Sequence, residues 1–254
     1  LFGGDGDDLF ISDSGNDTLF GDAGSDTLSY SNQSAAVSVD LANGTATGSA
    51  GSDSLSGIEN IIGSGFGDVL HGDAGANILD ASGGNDTVFG DAGDDSLIGG
   101  AGNDTLSFST STTGVTVDLA AGTASGLGTD VIAGFENLTG SSAADMLSGD
   151  SSANLIQGGS GNDTLSGGAG TDPLDLSQAA SGATVDLSAG TASSAETGND
   201  DISGFENVIG SAGNDDIAGS DGDNVLLGGA GDDTIEGGAG ADTLDGGDGI
   251  DTIS

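Results

Sequence analysis

Residues 228–254 read GGAGDDTIE, GGAGADTLD and GGDGIDTIS in unbroken succession, one nine-residue phrase written three times. Glycine holds the first, second and fourth places in most copies, an aspartate the sixth and an aliphatic residue the eighth. The phrase divides physically in two. Six Gly-rich residues reach backbone conformations that other residues resist, so they make a turn with carbonyls pointing inward. The last three, such as Thr243-Leu244-Asp245, form a short strand whose middle side chain is buried while its neighbours face out. Two phrases complete one coil of 18 residues, and parallel strands of successive coils stack about 4.8 Å apart. The pattern therefore predicts an all-β solenoid with a thin core.

The same phrase recurs in four blocks, 3–29, 63–107, 140–175 and 210–254, with three, five, four and five units, seventeen in all. The sixth place is Asp8, Asp17, Asp26, Asp68, Asn77, Asp86, Asp95, Asp104, Asp145, Asn154, Asp163, Asp172, Asp215, Asn224, Asp233, Asp242 and Asp251. Each of the three asparagines falls in the second unit of its block. The eighth place is apolar in every unit, from Phe10 and Leu19 to Leu244 and Ile253, and it fills the narrow interior. Stacked turns bring the acid of one unit beside that of the unit two further on. Such a file of carboxylates is untenable alone, and a hard divalent cation with six or more oxygen ligands relieves it.

Composition points the same way. Forty-two Asp and Glu face no Lys and no Arg, a formal net charge of −42. That sign excludes nucleic acid and anionic membrane surfaces as partners, and no apolar run approaches the roughly 18 residues of a spanning helix. With 52 Gly, nine aromatic residues, no Trp and no Cys, neither a conventional core nor a disulfide framework can be built. High charge with few aromatics predicts an expanded, largely disordered chain when cations are withheld.

The phrase GGxGxDxUx resembles the calcium-binding repeat of the RTX, or haemolysin-type, family, and its seventeen copies cover 153 of the 254 residues. The resemblance implies a right-handed parallel β-roll with two repeats per coil and several calcium ions. They would be held between turns two units apart by sixth-place side chains and turn carbonyls. It also implies type I secretion from a Gram-negative bacterium to the extracellular space or cell surface. Asn77, Asn154 and Asn224 offer a neutral oxygen where the family usually has a charge, and Phe66, Ala143 and Ser152 stand at expected glycine places. The sites there are expected to be the weakest. One ion for each pair of units two apart within a block gives nine. Asp95 and Asp233, mid-block, should each serve two ions, whereas Asp175 and Asp245, at ninth places, should be spectators.

Three insertions, 30–62, 108–139 and 176–209, resemble one another: VSVDLANGTATG, VTVDLAAGTASG and ATVDLSAGTASS lead into GIENIIGS, GFENLTGS and GFENVIGS. Each holds a worn copy of the phrase, 48–56, 125–133 and 195–203, which adds Asp53, Asp130 and Asp200 to the candidate metal ligands. A six-residue step containing Glu59, Glu136 or Glu206 follows, and about one coil's worth of residues remains. One solenoid is expected to run through 1–254, with alternating stretches such as Val115-Thr116-Val117-Asp118-Leu119 as longer strands. The xxENxxGS step resembles the stretch that leads into the β-roll of serralysin-type proteases, a similarity of scaffold only.

No catalytic constellation emerges. His71 is the single histidine, at an outward ninth place, so neither a Ser–His pair nor a His-rich zinc site can be assembled. The chain is read as a non-enzyme. Thr at the seventh place in eight units could suggest ice binding, but Leu9, Met146, Pro173 and Asp216 break the rank, and β-propensity explains the rest. Pro173 is expected to mark a sheet edge. Two function classes lead: a calcium-stiffened rod in a fibre, surface layer, biofilm matrix or adhesin, and a calcium-triggered folding and secretion module of an exoenzyme or toxin. Leu1-Phe2 and Ser254 fall at late places of a phrase with no polar cap, so end-to-end self-association into filaments is expected of the rod.

Overall fold

The computed structural model describes residues 1–13, 15–48 and 51–254. Position 14, in the second unit of block 3–29, and positions 49 and 50, in the worn phrase 48–56, lie outside the described residues. Among the described residues the chain is all-β, with thirty strands and no helix. The fold is a β-roll of short, mostly parallel strands in two sheets. Most strands span three residues, the seventh to ninth places of a phrase, because the Gly-rich turn that follows ends them.

Two compact units are formed, one from Leu1–Phe108 with Gly122–Phe135, the other from Ser109–Ala121 with Glu136–Ser254. In the first unit successive phrases alternate between two sheets. One carries Val69–His71, Thr87–Phe89 and Thr105–Ser107, the other Asn60–Ile62, Ile78–Asp80 and Ser96–Ile98. Register is 18 residues, eighth place against eighth place: Leu70 beside Val88 beside Leu106, and Leu79 beside Leu97. In the second unit Ile156 lies beside Leu174, Leu147 beside Leu165, and Ile217 beside Ile235 beside Ile253. Fifteen of the seventeen eighth-place side chains are buried, while Leu244 is half-buried and Ile253 exposed. Seventh-place side chains project outward or lie half-covered, and Ile78, Met146 and Val225 are exposed among the threonines.

The insertions keep to the sheets but reverse the chain. In the first, Val37–Asp40 runs parallel to Val69–His71 and pairs antiparallel with Thr45–Gly48, which pairs antiparallel with Gly51–Ser56, itself parallel to Thr18–Ala23. Thr184–Asp186, Thr191–Ser194 and Gly198–Ser203 repeat this in the third. The stretches expected as longer strands are short, three residues at Thr116–Asp118. The longest strands of the first and third insertions are Gly51–Ser56 and Gly198–Ser203, inside the worn phrases, where the strand begins at the fourth place of the phrase and not at the seventh. Tyr30, Phe108 and Leu176 at the start of each insertion, and Ile58, Phe135 and Phe205 toward its end, are buried.

Pro173 departs from expectation. Its strand, Pro173–Asp175, is no edge, being paired with Leu155–Gln157 on one side and Asn207–Ile209 on the other. The missing donor is absorbed by reducing the first pairing to one residue couple, Ile156 with Leu174.

Leu226, fully buried and in register with Val208 and Leu244, should lose about 2–5 kcal/mol of stability on replacement by Ala. Val225→Ala, one residue earlier and outward, should cost no more than about 0.5 kcal/mol. Urea unfolding at saturating calcium checks this, and equal losses would contradict the alternation.

Candidate metal centre

The 18-residue register sets the sixth-place acids of successive coils in files. Within a file, one carboxylate oxygen accepts the backbone N–H of the sixth-place residue one coil earlier. Asp86 Oδ1 accepts from Asp68 N at 2.6 Å, Asp95 from Asn77 N at 2.8 Å, and Asp163 from Asp145 N at 2.9 Å. Asp233 accepts from Asp215 N at 2.7 Å. Asp26, Asp104, Asp172, Asp242 and Asp251 accept in the same way. The worn phrases keep the file: Asp53 accepts from Asp17 N, Asp130 from Asp95 N and Asp200 from Asp163 N, at 2.9–3.0 Å across 35–37 residues.

The second oxygen is the chemically informative one. Oδ2 of Asp8, Asp26, Asp86, Asp95, Asp163, Asp172 and Asp233 is buried and has no hydrogen-bond partner. A buried anionic oxygen without a donor is among the costliest arrangements a fold can hold. The chain has no Lys or Arg to supply one. Burial, the largest effect, pushes the carboxyls of Asp86, Asp95 and Asp163 up to about 6, and Asp200 up to about 7. Asp130, Asp172 and Asp233 are raised by the same cause. Hydrogen bonds from the preceding coil oppose the rise, and neighbouring carboxylates add to it.

Glycine at the first place leaves room for this oxygen. A Cβ on Gly3 would lie 2.5 Å from Asp8 Oδ2 and 2.9 Å from Gly21 O, the carbonyl of the next coil. A carboxylate oxygen and a main-chain carbonyl thus crowd a position that only glycine leaves open. Among the described residues no three His, Cys, Asp or Glu side chains converge on one point. The acids stand in single file, so an ion would draw most of its ligands from turn carbonyls. Hard oxygen donors in irregular, flexible turns suit calcium, which takes six to eight oxygens, and not zinc. His71 stands apart, its ring stacked on Phe89 at 3.9 Å and its Nδ1 3.4 Å from Asp91 Oδ2.

Other candidates have different surroundings. Asp17 is half-buried and acts as the N–H donor to Asp53, whose Oδ2 accepts from the Tyr30 hydroxyl at 3.4 Å. Asp68, Asp145 and Asp215 have donors on both oxygens. Asn77, Asn154 and Asn224 use their amide nitrogens as donors. The sequence reading passed over two sets of residues. Glu59 and Glu206 join the file, their Oε2 atoms accepting from Asp26 N at 2.8 Å and Asp172 N at 2.9 Å. The fifth place forms a second file of opposite sense: Asp7, Asn85 and Asp232 Oδ1 accept from Ser25, Asn103 and Ile250 N, one coil later. The recurring Asn or Asp before the sixth-place acid was the signal for it.

These raised carboxyls fix a pH dependence. Each gains its proton more readily folded than unfolded, where an aspartate titrates near 3.9. Protonation therefore supports the metal-free fold fully below about pH 4, and that support is lost as pH rises through about 6 to 7. Within the folded roll calcium displaces these protons, while the unfolded chain is already ionised above about pH 5, so the calcium concentration at half-folding should stay level or fall slightly from about pH 8 to about pH 6. Titrations followed by circular dichroism check this, and a midpoint several-fold higher at about pH 6 than at about pH 8 would contradict it.

The family model of the RTX calcium-binding nonapeptide repeat matches residues 1–32, 55–88, 62–97, 80–108, 139–172, 202–235 and 218–253, overlapping matches that together span well over half of the chain. No curated protein matches the chain significantly. Repeats in phase, two-sheet architecture and buried files of acids agree with that match, and the chain belongs to the family of RTX calcium-binding nonapeptide repeat proteins.

Proposed function

We propose that this segment is a calcium-stiffened scaffold, a rod in extracellular or cell-surface material exported by type I secretion. The observation that carries the reading is the row of buried, donor-less carboxylate oxygens. In the metal-free chain each is a penalty, and with calcium each becomes a ligand, so folding and binding form one event. When bound, calcium supplies the positive charge that the sequence lacks. The chain's own part is to hold Oδ1 with the amide of the coil before, turn Oδ2 toward the first-place glycine, and exclude water with the eighth-place side chains. Ten sixth-place acids in the units and three in the worn phrases accept that amide or hold a donor-less oxygen.

Both units consist of the same scaffold, which supports a mechanical role over a catalytic one. Exposed apolar side chains on outer strands, Phe2, Leu9 and Ile11 in one unit and Ile253 in the other, support packing against further β-roll, whether a second copy or more of the same chain. The second reading is a folding and secretion module. It draws on the −42 charge, which keeps a calcium-starved chain expanded until it leaves the cell. Electron microscopy at millimolar calcium separates them: filaments are expected of the rod, discrete particles of the module.

Two outcomes test the common core of both. Chelation should abolish the β signal in circular dichroism, and a spectrum unchanged by chelator would refute calcium-coupled folding. Asp233→Ala, which removes a buried file member with a donor-less oxygen, should raise the calcium midpoint several-fold and lower its cooperativity. Asp245→Ala, at an exposed ninth place, should leave both unchanged. Equal effects in a calcium titration would mean that the ligand register is misassigned.

A further inference from the structure

The openings of the last three blocks are built unlike the turns that follow them. In the first unit of each, the buried carboxylate already has donors on both oxygens. Asp145 Oδ1 accepts from the Ser141 hydroxyl at 2.8 Å and from Val115 N at 2.7 Å, while Oδ2 accepts from Ser141 N at 2.6 Å. Asp68 has the same three donors in Ser64 and Val37, and Asp215 in Ser211 and Ala183. The serine is the last residue of the ENxxGS step, and it is buried in all three copies.

The second unit carries the asparagine. Oδ1 of Asn77, Asn154 and Asn224 accepts the N–H four residues earlier, at 2.7–2.8 Å. Nδ2 donates to the main-chain carbonyls of Glu59, Glu136 and Glu206 at 2.8, 3.0 and 2.7 Å. A carbonyl only accepts and an N–H only donates, so the two bonds together fix which way the amide faces. An aspartate there would set a second oxygen against the glutamate carbonyl, a contact that only a cation or a proton relieves. The rest of the step ties neighbouring coils together: Glu59 and Glu206 accept from the coil before, Asn60 and Asn207 from Ile78 N and Val225 N in the coil after.

We infer that ENxxGS and the asparagine that follows it form a calcium-independent seam, in which the serine hydroxyl and the asparagine amide stand in for the ion and the sixth-place side chains of these two units ligate none. Calcium is thereby kept from the first two turns of each of these three blocks, and each return from an insertion into the roll is closed by protein groups alone. The inference rests on calcium binding by the remaining acids.

Calcium counted by equilibrium dialysis at saturation tests it, on the unmutated chain and two triple variants. N77A/N154A/N224A should bind as many ions as the parent while unfolding at lower denaturant, because it loses hydrogen bonds and no ligands. N77D/N154D/N224D should bind more, by up to three per chain, because a carboxylate now faces each glutamate carbonyl. Fewer ions in the alanine variant, or an unchanged number in the aspartate variant, would overturn the seam. Should the alanine triple fail to fold, Asn224→Ala alone reads the same difference with the other two seams intact. A parent chain that binds no calcium would instead overturn the functional reading, so the two failures are separable.

Discussion

Everything in this fold depends on a carboxylate with two unlike oxygens. One is fastened by the amide of the coil before, as Asp86 Oδ1 is by Asp68 N. The other, in Asp86, Asp95, Asp163 and Asp233, is buried without a donor. The first oxygen makes the acid part of the backbone ladder, so the side chain cannot swing out to water without breaking a hydrogen bond between coils. The second makes the completed ladder unfavourable without a compensating positive charge. On the proposed calcium binding, structure and ion dependence are written into the same residue.

The period of the roll follows from that residue as much as from the strands. Three-residue strands have too little apolar surface to specify a register by themselves. The eighth-place side chain supplies one buried contact per phrase, and the sixth-place acid supplies a bond that is satisfied at one offset only. Where the offset changes to 35–37 residues, at the worn phrases, the bond survives through Asp53, Asp130 and Asp200 although the strand begins earlier in the phrase. The three-strand reversal in the first and third insertions is therefore tolerated: it alters the path of the chain but returns an acid to the file.

Much of this was legible in the sequence because a nine-residue period ties position to role. The eighth place announced the core, the sixth the buried acid, and Asp53, Asp130 and Asp200 were traceable through a worn copy of the phrase. What escaped was whatever breaks the period. The antiparallel returns such as Thr45–Gly48 have no counterpart in the phrase, and alternation in VSVD or VTVD does not reveal whether the next strand runs parallel or back. Glu59 and Glu206 were read as part of a spacer, since a longer side chain reaches the file from a displaced backbone. The sixth-place residues looked alike in one dimension. Their division into donor-less acids, serine-closed acids and amide-bearing asparagines depends on partners 4 to 32 residues away.

The absence of Lys and Arg completes the logic. A single ammonium or guanidinium near the file could satisfy a donor-less oxygen and lower the cost of the metal-free fold. The roll would then persist without calcium in proportion to the cations it carried. A chain of 42 acids with no Lys or Arg has no such internal substitute along the file except the seams, where serine and asparagine supply neutral donors to a few fixed positions. Neutral donors compensate locally without lowering the net charge, so repulsion between the remaining acids is left intact. The seams can hold the corners of the roll, but they cannot hold the roll, and the later turns of each block retain the need for an ion.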